Sequence, residues 1–187
     1  EAALLKAHAA GTPVFGICGG YQMMGESLSD PHGVEAGGTI KGMGLLPMDT
    51  VFAEKKTRTR VEGTFGELDG AFAKLSGTAL EGYEIHMGVT KAGDGATPFC
   101  RLSDGRTDGA VVGNVFGTYL HGLFDTGELT DALARWLLTR KGLDPVAVQP
   151  EDQKAYQERQ FDLLADVVRS SLDMHAVYAA LEGKETP

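Results

Sequence analysis

Apolar and polar positions change their period twice along the chain. Residues 1–10 are rich in Ala and Leu and close at Gly11, a residue suited to ending a helix. Thr12 and Pro13 make a turn, and residues 14–18 form a short apolar run that reads as a buried strand. Residues 19–28 read as a second helix. Helix, strand, tight turn and helix in that order is the rhythm of an α/β parallel sheet.

From about residue 30 to 117 the period shortens. "TRTRVEGTF" (57–65), "GYEIHMGVT" (82–90), "FCRLSDG" (99–105) and "GAVVGNVFGTYLHG" (109–122) read as strands divided by glycine turns. Helical spacing then returns. Leu129, Leu133, Trp136 and Leu137 share one face of "ELTDALARWLLTRKG", which stops at Gly142. Tyr156, Phe161, Leu164, Val167, Val168 and Leu172 recur at helical spacing, and residues 173–181 read as a short last helix. Residues 144–150 read as a linker between the sheet domain and these helices.

The strand-to-helix junction carries the first chemistry. Cys18 lies in a G-x-C-x-G pattern, "GICGG", directly after the apolar run. In such an elbow the nucleophile sits on a strained turn, and flanking glycines relieve crowding. The N–H of Gly19 then points where an oxyanion would form, and a helix N-terminus favours thiolate. A buried core cysteine is the plainer alternative; Cys100, in "PFCRLS" without glycines, is read that way. A thiol nucleophile needs a base, and there are five histidines. His121 ends an apolar run and precedes a glycine, at the carboxyl end of an expected strand, where α/β sites assemble. His86 is the second candidate, with Glu84, His86 and Gly88 on one strand face and Tyr83, Ile85 and Met87 on the other. His8, His32 and His175 read as surface or packing residues.

Composition narrows the classes. A chain of 187 residues fits one domain, or one with an appendage. Its net charge of −9 and lack of a basic stripe argue against nucleic acid as the main partner. Two cysteines make no disulfide framework, so a reducing cytoplasm is expected. No run approaches the ~20 apolar residues of a membrane span, so no membrane partner is expected. The chain starts at Glu1, inside a helical pattern, and reads as a fragment of a longer protein.

"GICGGYQMMG", "GYEIHMG" and "GTYLHGLFD", in that order, resemble the glutamine amidotransferase domain of the cobyric acid synthases, in the class I, triad-type superfamily. The resemblance implies a class I, flavodoxin-like α/β sheet with flanking helices, truncated at its N-terminus. Residues 1–145 would be that domain, and 146–187 a helical extension packed on it. It further implies hydrolysis of L-glutamine to supply ammonia. An N-terminal synthetase domain, holding ATP and Mg, would use it to amidate the corrinoid adenosylcobyrinic acid a,c-diamide. No cofactor or metal is expected in this domain. Cys18 matches the family nucleophile, His121 its histidine, and Gln22 a position near bound glutamine.

Two departures from the superfamily pattern stand out. A glutamate two residues after the histidine is replaced by Leu123. Asp125 or Glu84 would take its role, or Cys18 and His121 would work as a dyad, the arrangement slightly favoured here. The superfamily's glycine loop upstream of the cysteine strand, which supplies a second oxyanion N–H, has no counterpart here, and no G-x-x-x-x-G-K-[ST] occurs. Two other functions fit the elbow: a cysteine peptidase or other thiol hydrolase of this fold, and a non-catalytic docking domain.

Overall fold

The computed structural model describes residues 1–125, 127–147 and 153–183. The chain divides into two units, Glu1–Gln149 and Pro150–Pro187. In the first, α1 (Ala2–Ala9) and β1 (Val14–Ile17) lead into a five-residue helix, α2 (Gly19–Met23). β2 (Ser27–Asp30) and β3 (Gly38–Lys41) follow, then the long strands β4 (Met48–Phe65) and β5 (Ala79–Ala92). The short strands β6 (Cys100–Leu102), β7 (Thr107–Asp108), β8 (Ala110–Val112), β9 (Val115–Thr118) and β10 (Leu120–His121) precede α3 (Glu128–Arg140). The second unit holds α4 (Gln153–Ser171) and α5 (Met174–Leu181), the latter capped by Asp173, which accepts from the Ala176 N–H at 3.1 Å. Of the linker expected at 144–150, Pro145–Ala147 is a 3-10 turn and 148–150 lie outside the described residues. No described helix is long and apolar enough to cross a membrane.

The class is mixed α/β. One sheet has the order β1-β9-β8; the other runs β10-β5-β4-β2-β3, with β6 paired to β4 and β7 to β6. The expected parallel rhythm survives in two pairings, β1 with β9 and β2 with β4. Every other pairing of named strands is antiparallel. Phe15 of β1 anchors the first sheet in the core, with edge-on rings from Phe72, Phe99 and Phe124 at 5.7, 5.5 and 5.4 Å. Such pairs add about 0.5–1.5 kcal/mol each beyond burial.

The helix expected over 19–28 stops at Met23, and residues 27–30 are strand β2. The reason is tertiary. The Glu26 N–H donates to the Met48 carbonyl at 2.8 Å, and a β-carbon on Gly25 would lie 2.6 Å from that same oxygen. Pairing with β4 captures this segment and overrides its helical pattern.

Asp30 organises the loop that follows. Its carboxylate accepts the N–H groups of Val34, Glu35 and Gly37 at 2.8, 2.8 and 2.9 Å. Desolvation pushes its pKa up, but the N–H groups of Glu35, Gly37 and Val34 outweigh it and hold the carboxyl below its usual range. A depressed folded pKa adds stability above the unfolded value of about 3.9, and that stability is lost as pH falls through the folded value. Asp30→Ala is therefore expected to melt below the wild type at pH 7, the gap closing on acidification below about pH 4. Thermal scans across that range check it; a gap independent of pH would refute the role given to the charge.

Candidate active site

The turn from β1 to α2 holds strained backbone. Cys18 has φ 52° and ψ −111°, and is the only non-glycine residue with positive φ among the described residues. Such a conformation costs about 1–3 kcal/mol. The glycines around it do two different jobs. A β-carbon on Gly16 would lie 2.4 Å from Met24 Cε and 2.8 Å from the Tyr21 nitrogen, so α2 can fold back over β1 only if residue 16 lacks one. Gly117 on the neighbouring strand is just as tight, at 2.1 Å from the Tyr21 ring. At Gly19 and Gly20 an added β-carbon would meet nothing within 4 Å. These two leave open backbone beside the thiol.

Strand β5 lies behind both candidate residues. The Cys18 thiol, partly buried, donates to the Ile85 carbonyl at 3.6 Å, and its N–H donates to the Thr118 carbonyl at 2.9 Å. β10 pairs antiparallel with β5, setting Leu120 against Glu84 and His121 against Tyr83. The thiol and His121 thus meet the same four-residue stretch, Tyr83 to His86. The His121 imidazole stacks on the Tyr83 ring, 5.2 Å between centroids and 12° from parallel. Its Nε2 is buried without a hydrogen-bond partner.

No carboxylate among the described residues forms an ion pair with His121. Asp125 closes a turn, its N–H donating to the Gly122 carbonyl at 3.0 Å. Leu123 is buried in the core, where its side chain serves packing. Glu84 is 2% exposed and committed elsewhere: both its oxygens take the Arg106 guanidinium, at 3.1 and 2.9 Å. His86 joins it on the same face, as alternation predicts, with Nε2 3.6 Å from Glu84 Oε1. Its Nδ1–H donates to the Gly88 carbonyl at 2.7 Å, and its ring lies 3.7 Å from that of Tyr119.

Gln22 is buried, and its amide donates to the Tyr119 hydroxyl at 3.3 Å. That hydroxyl meets Thr90 Oγ1 at 2.6 Å, which meets Thr50 Oγ1 at 2.7 Å. Gly88 makes room for this chain: a β-carbon there would sit 2.3 Å from Gln22 Nε2 and 2.7 Å from the Tyr119 hydroxyl. Asp108 supports the segment before His121, accepting the Thr118 hydroxyl and, at 3.1 Å, the Tyr119 N–H. Burial pushes its carboxyl above the usual range, and its charge adds to the burial that raises Cys100 to about 12. Cys100, 0% exposed, is thereby kept in the thiol form.

Tyr83, Ile85, Arg106, Asp108 and Tyr119 carry no candidate role in the sequence pattern. For Tyr83 the signal is strand alternation, which sets it on the face opposite Glu84 and His86; Ile85 acts through its backbone carbonyl, which no side-chain pattern marks. Nothing local marks Arg106 or Asp108, which reach the site through pairing of the short strands β6 and β7. His8, His32 and His175 lie in α1, the Asp30 loop and α5.

Comparison with known proteins adds family to geometry. A cobyric acid synthase of Ruminiclostridium cellulolyticum is 49% identical over 186 residues, covering 95% of this chain and 36% of the relative. One from Citrobacter koseri is 46% identical over 191 residues, with 98% and 37% covered. The chain thus spans little more than a third of the length of these relatives. Among solved structures, that of PurLQS from Thermotoga maritima superposes with a TM-score of 0.51 at 21% identity, over 72% of this chain and 66% of that one. This likeness is one of fold. Residues 1–129, from α1 past the turn that follows His121, match the CobB/CobQ-like glutamine amidotransferase domain, and the chain belongs to that family.

Proposed function

We propose that this chain is the glutamine-hydrolysing part of a cobyric acid synthase, with Cys18 as nucleophile and His121 as general acid and base. The observation that carries the reading is the elbow, where a thiol held at positive φ stands beside open glycine backbone. Cys18 as thiolate attacks the side-chain amide carbon of L-glutamine. The tetrahedral oxygen is met by the Gly19 N–H. The C–N bond breaks, and His121 gives a proton to the departing ammonia, leaving a thioester on Cys18. His121 then takes a proton from water, which attacks the thioester; the C–S bond breaks and glutamate leaves. Gln22, held by Tyr119, supports the helix that carries the Gly19 N–H. The ammonia passes to a synthetase part of the same protein, which amidates carboxylates of a corrinoid using ATP and Mg; no cofactor is needed in this part.

A diazo-ketone analogue of glutamine tests this reading. Incubated with the full-length protein, it is expected to leave one adduct, on Cys18, blocked by excess L-glutamine and resolved by peptide mass spectrometry. Cys100, buried and held as a thiol, is expected to stay unlabelled. Absence of an adduct would favour a docking domain. Turnover of peptides without turnover of glutamine would favour a peptidase.

A further inference from the structure

A His121 base without a carboxylate partner needs something else to hold its ring. We infer that Tyr83 is that positioning residue: its ring, stacked on the imidazole, sets the orientation that a carboxylate sets in a triad. The inference rests on the reading of His121 as the catalytic base. Three observations carry it. The two rings lie 12° from parallel at 5.2 Å. They belong to directly paired residues of β10 and β5, so the backbone ladder fixes the register of the stack. His121 Nε2 is buried without a hydrogen-bond partner, and no carboxylate among the described residues pairs with the ring.

Strand alternation sets the side chains of Tyr83 and of Glu84 and His86 on opposite faces of β5, while the Ile85 carbonyl acts from the backbone. Tyr83 faces the imidazole, and the Ile85 carbonyl holds the thiol. Glu84 and His86 point the other way, fastened by Arg106 and Tyr119. The strand is therefore anchored through one face while the other presents the Tyr83 ring to His121. A stacked ring restricts rotation of the imidazole about its side-chain bonds. It offers no hydrogen bond to the far nitrogen, and a thiol nucleophile demands less of its base than serine does. The flat ring is what the geometry uses; the phenolic hydroxyl takes no part.

The test uses glutamine turnover by the full-length protein. Tyr83 is 42% exposed, so its replacement leaves the core packing in place. Tyr83→Leu is expected to lower kcat ~10-fold, with KM for glutamine changed less than ~2-fold, as misaligned reacting groups cost rate more than binding. Tyr83→Phe, which keeps the ring, is expected to recover most of that loss. Amidation driven by free ammonia stays at the wild-type level in both and reports an intact fold. Wild-type kcat in Tyr83→Leu, or a Tyr83→Phe as slow as Tyr83→Leu, overturns the inference. His121→Ala separates the two readings: if it keeps wild-type turnover, the base assignment fails first. If it is silent while Tyr83→Leu is normal, only the stacking role falls.

Discussion

Cys18→Ala in the full-length protein is expected to end glutamine-dependent amidation while sparing amidation supplied with ammonium salt. The loss should exceed ~10³-fold, because the thioester route has no substitute once its sulfur is gone. The sparing is the sharper half of the result. Alanine keeps a β-carbon at φ 52°, so the elbow keeps its shape and its strain, and the remainder of the protein has no reason to change. Rates with glutamine and with ammonium salt, measured side by side, decide it. Equal loss of both activities would mean that Cys18 supports the structure rather than the chemistry.

The second large effect concerns the choice between two histidines. His121→Ala is expected to slow glutamine turnover by ~10²-fold or more, the usual scale for a general acid and base. His86→Ala removes a ring that lies against Tyr119 and a donor that serves the Gly88 carbonyl. Its expected effect is therefore mainly on folding stability, read from a urea midpoint. Rapid-quench measurement of thioester formation and breakdown in both variants separates them. A reversed pattern, with His86→Ala silent and His121→Ala active, would move the base to the other histidine.

The elbow could be read from sequence because its cause is local. An apolar run ending in G-x-C-x-G predicts a strained strand-to-helix turn, and Cys18 adopts it. The shared face of Glu84 and His86 was legible for a similar reason, since alternation needs only that the segment be a strand. What those side chains do was not legible. Glu84, named beside Asp125 as a stand-in for the missing glutamate, pairs with Arg106, 22 residues away, delivered by the β6–β7 pairing. The ring beneath His121 depends on the register between β10 and β5, which no pattern in either segment states. The second helix failed where a carbonyl of β4 captured Glu26, a contact invisible to helical periodicity.

The strained cysteine also has an evolutionary consequence. At φ 52° a glycine would sit without the penalty that any side chain meets there. Selection for stability alone therefore pushes position 18 towards glycine, and only the need for a thiol holds it back. Serine, the smallest chemical change, would keep the strain and bring no relief. A descendant that retained this domain as a scaffold and drew ammonia from solution would be free of that need. Glycine at the elbow, with Gly16 and Gly117 still tight against α2, would be the fossil such a lineage leaves.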